Sequence, residues 1–411
     1  MTSLLFERHA IWVLLAILLA AVWYRFIPLI VVSTFLLVLS LMINTWKKLS
    51  LRHIKTALKL SKSRLFVDEE FLITASIHNN KWLPLVWLEW IFPESKGISL
   101  GDNESNNMYT VRLLWLLWYQ KAEWTLNGKA LKRGVYDIGQ VTLRSGDGFR
   151  FAETEKLFPL NDRIYVYPKL ISVNVPNFPP SLEWGAKGKK GGFIEDPLFV
   201  IGTREYQAGD ELRRFNWRAS ARTGKLQTNV YQPVVTEQLL IYIDVAGFVI
   251  NEYEYQDPIK QKEYADGKEE GFEWFLSVIA SVAVHYRERG ISIGSANNGL
   301  NIDGKKMASI LPGPNLTPFL DQLALITQRV GVQKMAALDE ILYQGSLHVP
   351  LFVFCNYITE YHYLWYQRHR HKLSEVCFYY KYETKQISQD LNRAGAATKP
   401  MDLFFSLSTS A

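Results

Sequence analysis

Residues 239–245, Leu-Leu-Ile-Tyr-Ile-Asp-Val, form an apolar run that ends at a carboxylate, Asp244, and is followed by Ala246-Gly247. A short continuous apolar run of this kind is typical of a strand that is covered on both faces. Helical patterns follow at residues 271–290, 317–327, 334–344 and 359–372, and strand-like runs at residues 291–296, 350–356 and 376–382. The alternation predicts a doubly wound α/β domain with a largely parallel sheet over residues 237–395, followed by a loose tail at residues 396–411.

Residues 51–175 show a different pattern, in which short apolar runs are separated by turn residues. Residues 70–77 and 83–92 are two such runs, and a His-Asn-Asn-Lys break lies between them. Further runs are at residues 111–125, 134–143 and 164–167, and breaks are expected at Asn127-Gly128, Gly146-Asp147-Gly148 and Asn161-Asp162. Short strands at regular spacing predict a β-sandwich domain.

The N-terminal residues 1–46 contain two uncharged apolar runs separated by Arg25. Each run approaches the length that a helix needs to cross a bilayer, so a two-helix transmembrane hairpin is expected, with spans at about residues 9–24 and 27–43. A cleaved signal peptide is the alternative. It is disfavoured by the two runs in tandem and by the lack of a persuasive small-residue cleavage site.

A basic cluster follows the second apolar run. It begins with Lys47, Lys48, Arg52 and Lys55 and contains seven basic residues before the first acid, Asp68. Basic flanks tend to stay on the cytoplasmic side, so both termini and the domains after the hairpin are predicted to be cytoplasmic. Anionic lipid headgroups account for this cluster without a nucleic-acid partner.

Composition limits the remaining possibilities. The chain has 411 residues, of which 48% are hydrophobic and 14% aromatic, so it has ample material for packed cores and is not a disordered chain. Its formal charge of +6 is smaller than the basic cluster alone. Cys355 and Cys377 lie in apolar, strand-like runs and are predicted to be buried free thiols.

Residues 176–236 form a linker and an Arg-rich segment. Between residues 202 and 225 there are six basic residues, five of them Arg, against three acids. Residues 210–223 suit a helix that stops at Gly224. Two interpretations remain open. In the structural interpretation, Arg204, Arg213 and Arg222 pair with Glu205, Asp210 and backbone carbonyls, and the rings of Tyr206 and Trp217 fill a core. In the functional interpretation, the arginines form a docking surface for an acidic partner or an anion.

The Arg-rich segment resembles the signature of a bacterial family called domain of unknown function 58. The signature and interaction positions are Gly202, Arg204, Glu205, Tyr206, Gly209, Asp210, Arg213, Arg214, Asn216, Trp217, Arg218, Arg222 and Gly224. The resemblance implies an inner-membrane multi-pass protein with a β-sandwich and a C-terminal von Willebrand factor A-like (Rossmann-like) α/β domain. It also implies partnership with a MoxR-type AAA+ ATPase and with a transglutaminase-like membrane protein.

A von Willebrand factor A domain usually binds a divalent metal through Asp-x-Ser-x-Ser and an Asp on a later loop. This sequence has Asp244, Ala246 and Phe248 at the first motif and Asn356 at the later position. One carboxylate is a poor site for a hard cation, so no metal and no cofactor are expected. Asp244 is instead predicted to cap a helix or to pair with an Arg.

Other motifs give little indication of catalysis. Residues 299–306 approach a phosphate-loop pattern, but Asp303-Gly304 between apolar stretches is more typical of a hairpin turn. His362, His369 and His371 are predicted to lie on a solvated helix face. No nucleophile motif is present, and no catalytic residue is assigned.

Three function classes follow. The first is a non-enzymatic, membrane-anchored adaptor whose cytoplasmic domains bind protein partners. The second is a hydrolase or nucleotide-binding protein that uses the Arg-rich segment and Asp244. The third, metal-dependent adhesion, is disfavoured by the missing serines and by the predicted cytoplasmic orientation.

Overall fold

The computed structural model describes residues 8–93, 97–100, 109–147, 153–175, 195–207, 214–233, 237–250, 258–331, 335–343 and 349–405. The chain divides into two compact units, Met1–Lys169 and Leu170–Ala411. Among the described residues, the first unit contains two helices and two β-sheets, and the second contains one six-stranded sheet with its helices and two two-stranded sheets.

The first unit begins with two helices, α1 (Arg8–Trp23) and α2 (Ile27–Ser50), which contact each other across a three-residue connection. Helix α2 has 24 residues and is about 36 Å long, which exceeds the roughly 30 Å hydrocarbon core of a bilayer. The apolar part of α1, Ile11–Trp23, is shorter. Of the helices that the structure describes, α2 alone is long and apolar enough to cross a membrane.

Two sheets follow the helices. Their strands are β1 (Ile54–Leu60), β2 (Arg64–Phe66), β3 (Glu70–Asn79), β4 (Leu85–Pro93), β5 (Ile98–Leu100), β6 (Tyr109–Leu116), β7 (Lys121–Ala130), β8 (Gly134–Gly146) and β9 (Glu153–Tyr167). One sheet has the order β1-β3-β7-β5 and the other β2-β9-β8-β4-β6. Both contribute to one hydrophobic core, in which Trp90 of one sheet packs edge-on against Trp124 of the other with ring centroids 5.3 Å apart. This is a sandwich arrangement.

Three predicted features of the sandwich are wrong. Asn127-Gly128 is not a turn but lies within β7, paired with Phe71 and Leu72 of β3; the glycine leaves room for the Phe71 ring, which a side chain at Gly128 would approach within 2.5 Å. Asn161-Asp162 lies inside β9, at an irregularity in its pairing with β8. Residues 111–125 form two strands, β6 and β7, joined by a tight turn at residues 117–120.

The second unit holds the remaining elements. Its strands are β10 (Glu195–Glu205), β11 (Gln227–Pro233), β12 (Gln238–Asp244), β13 (Ser292–Asn297), β14 (Gly299–Asn301), β15 (Ile310–Gly313), β16 (Ile326–Val330), β17 (Leu351–Tyr357), β18 (Val376–Tyr382) and β19 (Ala397–Pro400). Its helices are α3 (Trp217–Thr223), α4 (Pro258–Glu288), α5 (Thr317–Leu325), α6 (Ala336–Tyr343), α7 (Glu360–His369) and α8 (Lys385–Ala394). The main sheet has the order β15-β13-β12-β17-β18-β19, and only its edge strand β15 is antiparallel.

The main sheet is covered on both faces. Alternate residues of β12, β17 and β18 pack with residues of α6, α7 and α8 in one hydrophobic cluster. On the opposite face, Tyr286 of α4 contacts Phe352 of β17. The predicted parallel sheet between helices is therefore observed, and the strand order reverses between β12 and β17, as in doubly wound folds.

Two boundaries differ from the prediction. Helix α4 begins at Pro258, because its charged first half continues the same helix as the buried second half. The tail is not loose over residues 397–404: β19 pairs with β18, and a 3-10 helix at Met401–Phe404 buries Met401 and Phe404 completely. Residues 406–411 lie outside the described residues.

Candidate functional site

The carboxyl ends of β12 and β13 and the start of α7 meet at a buried hydrogen-bond network. Asp244, the last residue of β12, is held by three donors. Its Oδ1 accepts from the Ala246 amide at 2.9 Å and from Asn298 Nδ2 at 2.6 Å, and its Oδ2 lies 3.1 Å from His362 Nε2. Asn298 Oδ1 in turn accepts from the Val245 amide. Both carboxylate oxygens are therefore engaged by protein groups.

His362 is the least expected member of this network. Its Nδ1 accepts the backbone N–H of Thr359 at 3.0 Å, which places the ring proton on Nε2, facing Asp244. The side chain is completely buried. The prediction that His362 lies on a solvated helix face is thus wrong; His371 is exposed and His369 half-buried beside Asp339.

The electrostatics of Asp244 follow from these contacts. Burial acts to raise its pKa, but hydrogen bonds from His362, the Ala246 amide and Asn298, together with the adjacent imidazole, hold the pKa below its ordinary value. Asp244 accepts a hydrogen bond from the first amide of the 3-10 helix Ala246–Phe248, although Val245 holds the capping position, and the side chain that faces its Oδ2 is a histidine rather than the predicted arginine. This hydrogen-bond network therefore joins the carboxyl ends of β12 and β13 to the start of α7.

The other positions of the altered metal motif are also engaged. Phe248 packs between Phe272 and Phe275 of α4, with ring centroids 5.4 and 4.8 Å away. Asn356 Nδ2 donates to the Gly247 carbonyl at 3.0 Å. Its Oδ1 is buried and has no hydrogen-bond partner among the described residues. Among the described residues, Asn356 Oδ1 is therefore the one side-chain oxygen of this motif that accepts no hydrogen bond.

A cavity of about 270 Å³ lies beside Asn356, where β17 and β18 end against α4. Its walls include the rings of Phe248, Tyr264, Tyr357 and Tyr382 and the side chains of Lys268 and Lys381. Lys268 Nζ donates to the Gly247 carbonyl at 2.9 Å, and Lys381 Nζ lies 5.5 Å from the Tyr382 ring centroid. Ligands of doubly wound folds bind outside the carboxyl ends of strands where the strand order reverses, and this cavity lies at the carboxyl ends of β17, which borders that point, and β18.

The Arg-rich segment forms a separate motif. Strands β10 and β11 pair antiparallel, and α3 lies between them in sequence. Asn216 begins α3: its Oδ1 accepts the Ala219 amide at 2.9 Å and its Nδ2 donates to Asn229 Oδ1 at 2.8 Å. Gly224 ends the helix in the left-handed conformation, with φ of 67°. The predicted stop is confirmed, but α3 begins at Trp217.

The charges of this segment pair only in part as the structural interpretation predicted: Arg204 bonds a backbone carbonyl, but Glu205 pairs with a lysine rather than an arginine. Glu205 forms its ion pair with Lys225 at 2.8 Å, and Arg204 donates to the Glu205 carbonyl at 3.2 Å. Trp217 does not fill a core but is 70% exposed, and its ring contacts Phe215, which contacts the half-buried Tyr206. Gly209, Asp210 and Arg213 lie outside the described residues.

Arg218 and Arg222 share one face of α3 because they are four residues apart. Both are exposed, and no carboxylate among the described residues lies within ion-pair distance of either. We call Trp217, Arg218 and Arg222 the α3 surface. No hydrogen bond or ion pair joins Arg204 or Glu205 to Asp244 among the described residues, so the structure does not assemble the predicted Arg-Asp site there.

The remaining candidates have structural roles. Gly304 donates its N–H to the Asn301 carbonyl in a turn, and Leu300 bridges Lys306, which confirms the predicted hairpin turn in place of a phosphate loop. Cys355 and Cys377 are buried free thiols, as predicted, and burial raises the pKa of Cys377 to about 11. Sequence reasoning missed His362 and Asn298. The signal for His362 is its spacing from the buried Trp365 and Tyr366, three and four residues further along α7.

Sequence comparisons relate the chain to proteins without an assigned role. Residues 202–261 match the family model described as Protein of unknown function DUF58. The chain is also similar to the uncharacterized protein YeaD of Bacillus subtilis (strain 168), with 24% identity over 198 residues. That match spans 47% of this chain and 48% of YeaD, so about half of each protein is compared.

Solved structures resemble only part of the chain. The CARDB domain of a Pyrococcus furiosus protein covers 28% of this chain and 91% of its own length, with 9% identity and a TM-score of 0.19. The sporulation control protein Spo0M of Bacillus subtilis covers 28% of this chain and 49% of its own, with 13% identity and a TM-score of 0.16. These scores are too low to establish a shared fold.

Proposed function

We propose that this member of the DUF58 family is a non-enzymatic, membrane-anchored adaptor whose α/β domain recruits a soluble protein. Helices α1 and α2 form a transmembrane hairpin that leaves both termini cytoplasmic. The sandwich acts as a spacer or sensor next to the membrane. The α/β domain is of the von Willebrand factor A type, which its strand order and antiparallel edge strand β15 support.

The observation that carries the proposal is the α3 surface. An exposed tryptophan beside two exposed arginines is the composition enriched at protein interfaces and among their energetic hot spots. Asn216 and Gly224 fix both ends of the short helix, so these side chains are presented on a defined support. An acidic surface on the partner would complement the arginines.

The buried network at Asp244 supports the non-enzymatic part of the proposal. A catalytic carboxylate must reach a substrate, whereas Asp244 is buried and holds three protein donors. His362 is likewise engaged at both ring nitrogens. The two residues thus stabilise the carboxyl end of the central strand β12, at the side of the sheet that an adaptor presents.

Resemblance supplies the identity of the partner. We expect a MoxR-type AAA+ ATPase to bind the α3 surface and a transglutaminase-like membrane protein to associate in the bilayer. ATP hydrolysis would then be carried out by the partner. Lys47, Lys48, Arg52 and Lys55 would contact anionic lipid headgroups at the cytoplasmic face.

The test uses the full chain in detergent or nanodiscs and a purified MoxR-type ATPase from the same genome. Binding is measured by biolayer interferometry with ATP and magnesium, for the wild type and for Arg218→Glu/Arg222→Glu. The charge reversal should abolish binding, and higher salt should weaken binding of the wild type. Arg393→Glu, an exposed arginine on α8, is the matched control and should bind normally.

Equal binding by the wild type and the charge-reversed variant would refute the α3 surface as the docking site. A catalytic turnover by the purified chain alone would refute the non-enzymatic role.

A second candidate function, binding of a nucleotide or a related anionic ring compound, is favoured by the cavity at Asn356. Its aromatic walls suit a ring, and Lys268 and Lys381 suit an anionic group. Calorimetric titration with ATP and ADP tests it. Binding that Lys381→Ala abolishes would support this candidate, and no heat of binding for either nucleotide would exclude it for these ligands.

A further inference from the structure

Exposed aromatic residues are concentrated in two loops at one end of the sandwich. Trp82 lies in the loop between β3 and β4, and Leu117, Trp118 and Tyr119 lie in the turn between β6 and β7. Their exposed fractions are 75%, 44%, 55% and 60%. We call these four residues the aromatic tip. Large apolar side chains grouped on a surface in this way mark a site of interaction.

The two loops of the aromatic tip are held together by hydrogen bonds. The Nδ2 of Asn79, which is completely buried, donates to the Leu83 carbonyl and to the Leu117 carbonyl, each at 2.9 Å. The Tyr119 amide donates to the Lys81 carbonyl at 3.2 Å. One side chain and one backbone bond thus join the loop of Trp82 to the turn of Trp118.

The loop that carries Trp82 is also bonded to the end of α2. Lys81 Nζ donates to the Ser50 carbonyl and, at 3.0 Å, to the Arg52 carbonyl. The Asn80 amide donates to the His53 carbonyl at 3.1 Å. An ammonium group is well placed here because the C-terminal carbonyls of a helix carry partial negative charge. The aromatic tip is therefore fixed to the helix end rather than free to move away from it.

The length of α2 places this end at the membrane surface. The last turn of α2 contains Lys47 and Lys48, and basic side chains of this kind mark the boundary of the hydrocarbon core. From Lys47 to Ser50 the helix rises about 4.5 Å, whereas the headgroup layer on each side of a bilayer is roughly 5–7 Å deep. The carbonyls that bind Lys81 thus lie within the headgroup layer when α2 spans the membrane.

The backbone of the turn is held in an unfavourable conformation. Tyr119 has φ of 54°, in the left-handed region that residues other than glycine rarely adopt. A conformation of this kind costs roughly 1–3 kcal/mol and is found more often at functional positions. Here it allows an aromatic residue to occupy a tight turn where glycine or asparagine is usual.

We propose that the aromatic tip is a second membrane contact, in which Trp82, Trp118 and Tyr119 enter the lipid headgroup layer beside the end of α2. Tryptophan and tyrosine favour this layer because their rings are apolar and their N–H and O–H groups remain hydrated. The contact would fix the orientation of the sandwich on the bilayer. It rests on the membrane attachment in the proposed function.

The test uses the full chain in phosphatidylcholine/phosphatidylglycerol vesicles with single fluorescent labels. Cys355 and Cys377 are buried, so a cysteine introduced at an exposed position is labelled selectively. The label is placed by Trp118→Cys, by Trp82→Cys and, as a matched control, by Leu131→Cys. Leu131 is also exposed but follows the far end of β7, nine strand residues or about 30 Å beyond Lys121. A fourth variant, Val38→Cys, reports on α2.

Lipids that carry a quencher near the headgroup should remove most of the emission from labels at positions 82 and 118 and little from position 131. Quenching at position 118 no greater than at position 131 would overturn the proposal. The Val38→Cys label separates the two claims: if deep lipid quenchers fail to reach it, the membrane attachment itself is wrong, whereas quenching at position 38 without quenching at position 118 rejects only the aromatic tip.

Discussion

His362 Nε2 lies 3.1 Å from Asp244 Oδ2, and neither side chain is more than 4% exposed. The contact joins the end of β12 to the first turn of α7, two elements separated by more than a hundred residues of chain. The carboxylate at the end of the strand thus has all three of its donors within the same chain.

Removal of the imidazole should destabilise the α/β unit strongly. His362→Ala leaves a buried carboxylate oxygen without its hydrogen-bond donor, which costs about 1–3 kcal/mol, and more when the acceptor is charged. The free energy of unfolding of the full chain, measured by urea denaturation in detergent, checks this. His371→Ala, at an exposed position, should change it by less than about 0.5 kcal/mol. If His362→Ala and His371→Ala lowered the free energy of unfolding equally, the contact between Asp244 and His362 would not be a stabilising one.

Stability should also fall in acid. Because the folded-state pKa of Asp244 lies below its ordinary value of 3.8, its contribution is complete above the unfolded-state pKa and is lost as the pH falls through the folded-state pKa. The urea concentration at which half of the wild-type protein is unfolded should therefore decrease as the pH is lowered from about 5 to about 3. Asp244→Asn should be less stable at neutral pH and show a shallower drop. A parallel pH dependence in both proteins would assign the acid sensitivity to other groups.

Gly128 should tolerate no larger residue. A Cβ at this position would lie 2.5 Å from the Phe71 ring, so Gly128→Ala should destabilise the sandwich by about 1–3 kcal/mol through overpacking. Gly139→Ala in β8 is the control, because a Cβ there meets nothing within 4 Å. Thermal unfolding of the full chain compares the two, and no difference between them would show that Phe71 moves freely.

Trp217 should matter for binding and not for stability. Its exposed side chain contributes little to the stability of the folded state. Trp217→Ala should therefore change the free energy of unfolding, measured by thermal denaturation, by no more than about 0.5 kcal/mol, as expected of a surface substitution. A tryptophan at the centre of an interface typically costs 2 kcal/mol or more when truncated, roughly thirtyfold in affinity. Interferometry with the ATPase measures this loss. Unchanged affinity would place the interface elsewhere.

Much of the α/β unit could be predicted because its signals are local. Buried parallel strands are continuous apolar runs, and β12, β17 and β18 begin and end within one residue of their predicted bounds. Gly224 ends α3 as expected because a left-handed residue at this position is a local requirement. Long-range contacts could not be predicted from such local signals. The partner of Asp244 lies on a distant helix, and a polar residue on a buried face is indistinguishable in sequence from one on a solvated face.

The turn at residues 117–120 shows a second limit. Turns are recognised from glycine, proline and small polar residues, whereas this one contains Leu117, Trp118 and Tyr119. An apolar turn therefore resembles the interior of a strand. Local rules fail most often at positions that serve binding or catalysis, and this turn is the one that carries most of the aromatic tip.

Strand β19 has a practical consequence for handling the protein. It covers the otherwise open side of β18, and Phe404, which follows it, stacks on Phe354 and contacts the Tyr379 ring at a tilt. A truncation after Gly395 would uncover a long row of unpaired amides and carbonyls, a template on which copies of the chain aggregate. Affinity tags are better fused beyond residue 405, where they leave this protective strand in place.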